Sequence, residues 1–176
     1  LEKSVDASRQ QIEIIRLRNE LGQLWSYRGD MTKAIEHFEA AKNLLDKILP
    51  SHPEYADDAV FMDEILGVVH LRKGELDNCV HNHNAETCIF PLTKQAQHKL
   101  TAGSSAAVGY FKRHLARNPD NLEVQWLLDL AMMTLGNASA NRIASKDARV
   151  PSVPRFPDVA AAVGVDRISG AGGTII

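Results

Sequence analysis

Leu21-Gly22-Gln23-Leu24-Trp25-Ser26-Tyr27-Arg28-Gly29-Asp30-Met31-Thr32-Lys33-Ala34-Ile35-Glu36-His37-Phe38-Glu39-Ala40-Ala41 decides how the rest of the chain is read. Two stretches of helical periodicity meet at Gly29-Asp30. Upstream, residues 4–28 read as one long helix, with Ile12, Ile15, Leu17, Leu21, Leu24 and Trp25 recurring at helical spacing and Ser4 or Asp6 available as a cap. Downstream, residues 31–48 read as a second helix whose apolar face is Ala34, Ile35, Phe38, Ala41, Leu44, Leu45 and Ile48. Gly29-Asp30 has the chemistry of the turn between them. Gly22 and Ala34 are small enough for the two helices to approach closely, and Trp25 and Phe38 fill the space around that contact.

The same order of residues returns at Leu66-Gly67, Gly74-Glu75 and Cys79. A third helix is expected over 55–73, closed by Gly74-Glu75. A short fourth follows over 76–82, with Cys79 in the small-residue position. An irregular, Asn/His/Thr/Gln-rich loop covers 83–103. Helices are then expected over 104–117, stopped by Asn118-Pro119-Asp120, and over 121–135, ended by Gly136-Asn137. Ala106, Tyr110 and Pro119 match the second half of a unit. Trp126, Leu128, Ala131, Leu135 and Gly136 match the first helix of another. The array resembles the tetratricopeptide (TPR) family, with insertions at about 49–59 and 84–103. The expected fold is all-α, a TPR-like solenoid of antiparallel helix pairs over 4–136. Gly22, Trp25, Ala34, Phe38, Gly67 and Trp126 are its repeat-packing positions. An irregular Pro- and Gly-rich tail occupies 137–176. The resemblance implies a curved surface that holds peptides or partner helices, hence protein–protein interaction, with another chain or with copies of this one.

A narrower resemblance lies in the second half. Asn78-Cys79-Val80-His81-Asn82-His83, Thr87-Cys88-Ile89-Phe90-Pro91-Leu92, Asn118-Pro119-Asp120-Asn121, Trp126-Leu127-Leu128 and Val153-Pro154-Arg155-Phe156 carry it. They are similar to stretches of large secreted bacterial proteins that join TPR-like helices to an FG-GAP/VCBS-type β-propeller and an ASPIC/UnbV domain. That family implies an extracytoplasmic setting and an adhesion, assembly or scaffolding role. Asp158-Val159-Ala160 would lead toward a first propeller blade, but the sequence stops at Ile176 before any Asp-x-Asp-Gly loop, so no calcium ligand carries over. The start, Leu1-Glu2-Lys3-Ser4, reads as that of a processed or trimmed chain.

Composition bounds the function classes. The formal net charge is −2 over 176 residues, with no excess of Lys and Arg to neutralise phosphates, so nucleic acid is not an expected partner. No apolar run approaches the length of a membrane helix. Clustered reactive side chains occur only around Cys79, His81, His83, Cys88 and His98. Three readings stay open there. Cys79 and Cys88 form a disulfide; or Cys79, His83, Cys88 and His98 hold zinc or copper, making the chain a metal-binding or redox accessory protein; or there is no site. The C-x3-H-x4-C spacing is not a standard zinc pattern. No nucleophile elbow, phosphate-binding loop or H-E-x-x-H is present, so no enzyme and no other cofactor is expected. Asp57, Asp58, Asp63 and Glu64 read as a solvated acidic face.

Overall fold

Asp30 shows why the chain turns where it does. Its side chain accepts a hydrogen bond from the Lys33 backbone N–H at 3.1 Å, capping the second helix. That bond, with the Lys33 ammonium close by, lowers its carboxyl pKa against a smaller opposing effect of burial. Gly29, just before it, has φ +80°, a conformation that L side chains rarely adopt. Helices α1 (Glu2–Tyr27) and α2 (Met31–Ile48) flank this turn.

The computed structural model describes residues 2–82, 86–87, 92–137 and 162. By its own contacts the chain divides into two compact units, Leu1–Ser145 and Lys146–Ile176. In the second only Ala162, in a turn, is described. Apart from Asn137 and Ala162, the expected tail over 137–176 lies outside the described residues. In the first unit, α1 and α2 are followed by a short 3-10 turn at Pro53–Tyr55 and by α3 (Ala56–Asn82). A second 3-10 turn at Lys94–Ala96 precedes α4 (Ala102–Arg117) and α5 (Leu122–Thr134). All the described regular structure is helical, and the five helices pack against one another.

Packing runs mainly between neighbours in sequence: α1 on α2, α2 on α3, α3 on α4, α4 on α5. One core gathers Ile15, Met31, Phe38, Leu45, Met62 and Leu66 from the first three helices. A second gathers Leu71, Phe111, Val124, Leu130 and Ala131 from the last three.

Two glycines set the close contacts. A methyl group on Gly22 would sit 2.8 Å from the Phe38 ring, and one on Gly67 would sit 2.4 Å from the Phe111 ring. Each Phe ring therefore packs against backbone where a side chain would stand. Ala34 and Ala107, one turn before each Phe, are fully buried. The α3–α4 contact thus repeats the α1–α2 contact, in the register of Ala107 and Phe111. The expected Ala106 and Tyr110 fall one residue short of it.

The expected helix break at Gly74-Glu75 is corrected. α3 runs unbroken through Gly74 to Asn82, so there is no separate helix over 76–82, and Cys79 lies in the last turns of α3. Gly74 serves contact rather than turning. A Cβ on Gly103 of α4 would meet the Gly74 backbone N at 2.6 Å and the His70 carbonyl O at 2.7 Å. Two glycines face each other, so two backbones touch. Glu75 lacks the short side chain that lets Asp30 cap a new helix.

Trp126 is also corrected. It is 46% exposed, because α5 turns Val124 and Ala131 toward α4 and leaves Trp126 on its far side. The acidic run is not one solvated face. Asp63 is buried and paired with Arg113 at 3.2 Å and Lys42 at 3.9 Å.

Candidate functional site

α1 carries apolar residues on more than one side. Ile12 and Ile15 point toward the first core, whereas Leu17, Leu21 and Leu24 are exposed. The inward side does not close on α3. α2 lies against both helices, whereas the backbones of α1 and α3 do not approach closely and meet only through side chains of the first core. Between them is an open groove of about 700 Å³. Phe38, Leu45 and Ile48 of α2 line it together with Ile12, Ile15 and Asn19 of α1 and Phe61, Met62, Ile65 and Val68 of α3. The α3 positions recur every three or four residues, so one helical stripe faces the groove. Phe61 is 56% exposed and Val68 42%, large apolar groups left open to water. The volume falls in the range of ligand clefts, roughly 300–1,000 Å³.

Polar groups sit around this apolar lining. Asp58 and Glu64 come from α3, and Arg16 from α1. Arg16 also bonds Glu13 at 3.0 Å on its own helix. Asn19 buries its side-chain oxygen with no hydrogen-bond partner. Such an acceptor costs about 1–3 kcal/mol unless something donates to it. Trp25 is not in the groove. It is half-buried against the first core, with the Lys33 ammonium 4.1 Å from its ring centroid and the Arg28 guanidinium at 5.0 Å.

The expected Cys/His cluster is only partly within the described residues. Cys79 is half-buried near the end of α3, while His83 and Cys88 lie outside them. Among the described residues there is no disulfide and no group of three or more metal-ligating side chains. His98 belongs to a different assembly. Its Nδ1 is 2.8 Å from the Ser104 hydroxyl, which is 2.8 Å from the Thr134 hydroxyl, which is 2.7 Å from the Ala131 carbonyl. One proton order satisfies all three bonds: Nδ1–H to Ser104, Ser104 O–H to Thr134, Thr134 O–H to Ala131 O. Burial lowers the His98 pKa, partly offset by Glu75.

Asn78 completes this junction and escaped the sequence reading. Its amide donates to Gly74 O at 2.8 Å and Leu100 O at 3.0 Å. Its side-chain oxygen accepts from the backbone N–H groups of Lys99 at 2.7 Å and Leu100 at 2.9 Å. One buried side chain thereby fixes the segment before α4 onto α3. The resemblance at Asn78-Cys79 drew attention to the cysteine, yet the neighbouring amide makes these four bonds.

Another polar chain crosses α2, α3 and α4. Glu39 bonds the Tyr110 hydroxyl at 3.3 Å and His70 Nε2 at 3.4 Å, and His70 stacks on Tyr110 with ring centroids 5.3 Å apart. Arg113 lies 4.1 Å from the Tyr110 ring centroid. Burial lowers the His70 pKa against the opposing pull of Glu39, and raises that of Tyr110. These groups tie successive helices together. None of them opens into the α1–α3 groove. Among the described residues, no helix is long and apolar enough to cross a membrane. No protein-family model, curated protein or solved structure matches the chain.

Proposed function

We propose that this chain is a TPR-like interaction domain, and that the groove between α1 and α3 holds an apolar segment of a partner protein. The groove itself carries the reading: an open apolar cleft that the fold leaves between two helices, floored by a third. The repeated Gly–Phe contact supports the repeat architecture, because Gly22–Phe38 and Gly67–Phe111 are two uses of one packing device. Exposed Phe61 and Val68 supply the apolar contact, and Arg16, Asp58 and Glu64 give it polarity. An amphipathic helix laid in a groove is the recognition mode that suits this lining. Asn19 offers its unpaired acceptor to a donor of the bound segment.

Peptides selected from a random displayed library against the chain test the proposal. Binders should be rich in apolar residues at helical spacing. On binding they should slow amide exchange in residues 12–27 and 58–69. Affinity should fall on the order of tenfold or more in Phe61→Asp and Val68→Asp, since each removes an apolar contact and buries a charge. Binders that tolerate both substitutions and protect other helices would overturn it.

An extracytoplasmic scaffolding role comes with the family resemblance, and the cysteines test that part. Reduction of the native chain should add the mass of two hydrogens, from a Cys79–Cys88 bond. Reduced thiols with stoichiometric zinc or copper would transfer the assignment to a metal-binding accessory protein.

A further inference from the structure

The side of α1 opposite the groove carries a second apolar stripe, bordered on one flank by α2 through Arg18 and His37. Ile14 is 39% exposed, Leu17 47%, Leu21 41% and Leu24 58%. Their spacings alternate three, four and three, the a and d positions of a heptad seam. Groove-lining Ile12, Asn19 and Gln23 project from the opposite side of the same helix, so the stripe is no part of that site.

We propose that this face pairs with the same face of a second copy, as a parallel two-stranded coiled coil. Ile14 and Leu21 occupy a positions, and Leu17 and Leu24 occupy d positions. Ile at a with Leu at d is the choice that favours two parallel strands. Charge selects the direction. In a parallel pair, the g residue Glu13 faces the e residue Arg18 of the second copy, twice by symmetry. In an antiparallel pair with the same core layers, Arg18 meets Arg18 and Glu20 meets Glu20 across the two flanks. The parallel pair therefore gains opposite charges where the antiparallel one collects like charges. Glu13 is available, since its present bond to Arg16 is a half-exposed pair on one helix surface. Arg18 lies at the edge of the seam, its guanidinium 3.1 Å from His37 Nδ1. Helix α1 is already ordered by its packing on α2, so the pair does not have to form helix from coil.

Sedimentation equilibrium of the intact chain tests the pairing. A dimer is expected in the micromolar range. The double substitution Leu17→Glu and Leu21→Glu should weaken it by a factor on the order of a hundred or more. Both side chains are exposed, so helix content and thermal midpoint of the separated chain should be preserved; they are checked by circular dichroism. Direction is read separately. Oxidised Leu24→Cys protein should link position 24 to position 24 of the second copy. This should outpace linkage of an Ile14→Cys copy to a Leu24→Cys copy, because ten residues of helix separate those positions by about 15 Å in a parallel pair. Link sites are identified by peptide mass. A chain that stays monomeric throughout the micromolar range overturns the pairing, as does a dimer that survives both charges. Faster linkage of position 14 to position 24 overturns the parallel arrangement.

Discussion

Gly103→Ala and Gly109→Ala place the same methyl group on the same helix, less than two turns apart, and should change stability in opposite directions. At Gly103 the added carbon would lie 2.6 Å from Gly74 N, 2.7 Å from His70 O and 2.8 Å from the Gly74 Cα. Comfortable contact is near 3.5 Å, so α3 and α4 must part by about 0.7–0.9 Å. Every one of those atoms is backbone, and no side chain can swing aside. Overpacking of this kind costs roughly 1–3 kcal/mol. The parting also strains the adjoining Ser104–Thr134 hydrogen bond, 2.8 Å long. Against this, alanine in place of glycine gains up to about 1 kcal/mol of helix propensity, and less in a first turn. A net loss of about 2 kcal/mol is expected, or about 4–8 °C in thermal midpoint for a chain of this size. At Gly109 the new methyl would meet only the Arg113 guanidinium, at 3.8 Å. There the propensity term stands nearly alone, and a gain of about 0.5–1 kcal/mol is expected. Urea unfolding followed by circular dichroism measures both, with an unchanged m-value confirming that stability moved. A Gly103→Ala protein as stable as the parent would refute the backbone contact between α3 and α4. So would loss of stability at Gly109 alone.

Asn78→Ala should cost about 2–4 kcal/mol in the same assay, because it strands the Lys99 and Leu100 N–H groups and the Leu100 carbonyl. Asn78→Asp should also destabilise, since a carboxylate keeps the two acceptor bonds but faces Gly74 O and Leu100 O without a proton to donate. Stability should fall on acidification through the histidine range. Burial holds His70 and His98 below their ordinary value of 6.5, so the unfolded chain takes up protons first. Their contribution is complete above about 6.5 and is lost as pH falls through that value toward the lower folded values. Thermal midpoints between pH 8 and pH 5 read this slope, and His98→Gln should flatten part of it. Trp126→Ala should move the midpoint by only a degree or two, because the indole is half exposed and lies outside both cores. A loss of the size seen for a buried aromatic would restore Trp126 to the core.

The first helix pair was legible because several independent signals agreed. Periodicity, the Gly29-Asp30 turn and the small residues Gly22 and Ala34 all point one way, and α2 spans Met31–Ile48 as expected. The second pair misled because glycine has two uses that look alike in sequence. Gly29 is needed for its positive φ, whereas Gly74 is needed for its missing side chain. The residue that follows separates them: Asp30 caps a helix, and Glu75 does not. The shift from Ala106 and Tyr110 to Ala107 and Phe111 has a related cause. A Tyr and a Phe are adjacent, and only partners far along the chain decide which turns inward. Tyr110 packs at the edge of the first core with its hydroxyl on Glu39, because that hydroxyl requires a partner, whereas Phe111 has no such requirement and is fully buried in the second. The groove was not legible, since no local pattern states that α1 and α3 stand apart.

Yet the groove follows from the residues that were read. Gly22 draws α2 onto α1 through Phe38, and Gly67 draws α4 onto α3 through Phe111. Small residues thus shorten the distance within each pair. Because α2 packs on both neighbours, it becomes the floor between α1 and α3 rather than allowing them to close. The side chains looking across that floor include Phe61, Ile65 and Val68, too bulky to invite the backbone contact that glycine gives at Gly74 and Gly103. Close packing inside pairs and open packing between them have one cause, the sorting of small and large residues onto different faces. A Gly22→Ala substitution should therefore disturb the groove as well as the pair. Its methyl would lie only 2.8 Å from the ring of Phe38, which lines the groove, and would push that ring aside. Peptide binding should then weaken along with stability, whereas Gly109→Ala, remote from the groove, should leave binding unchanged.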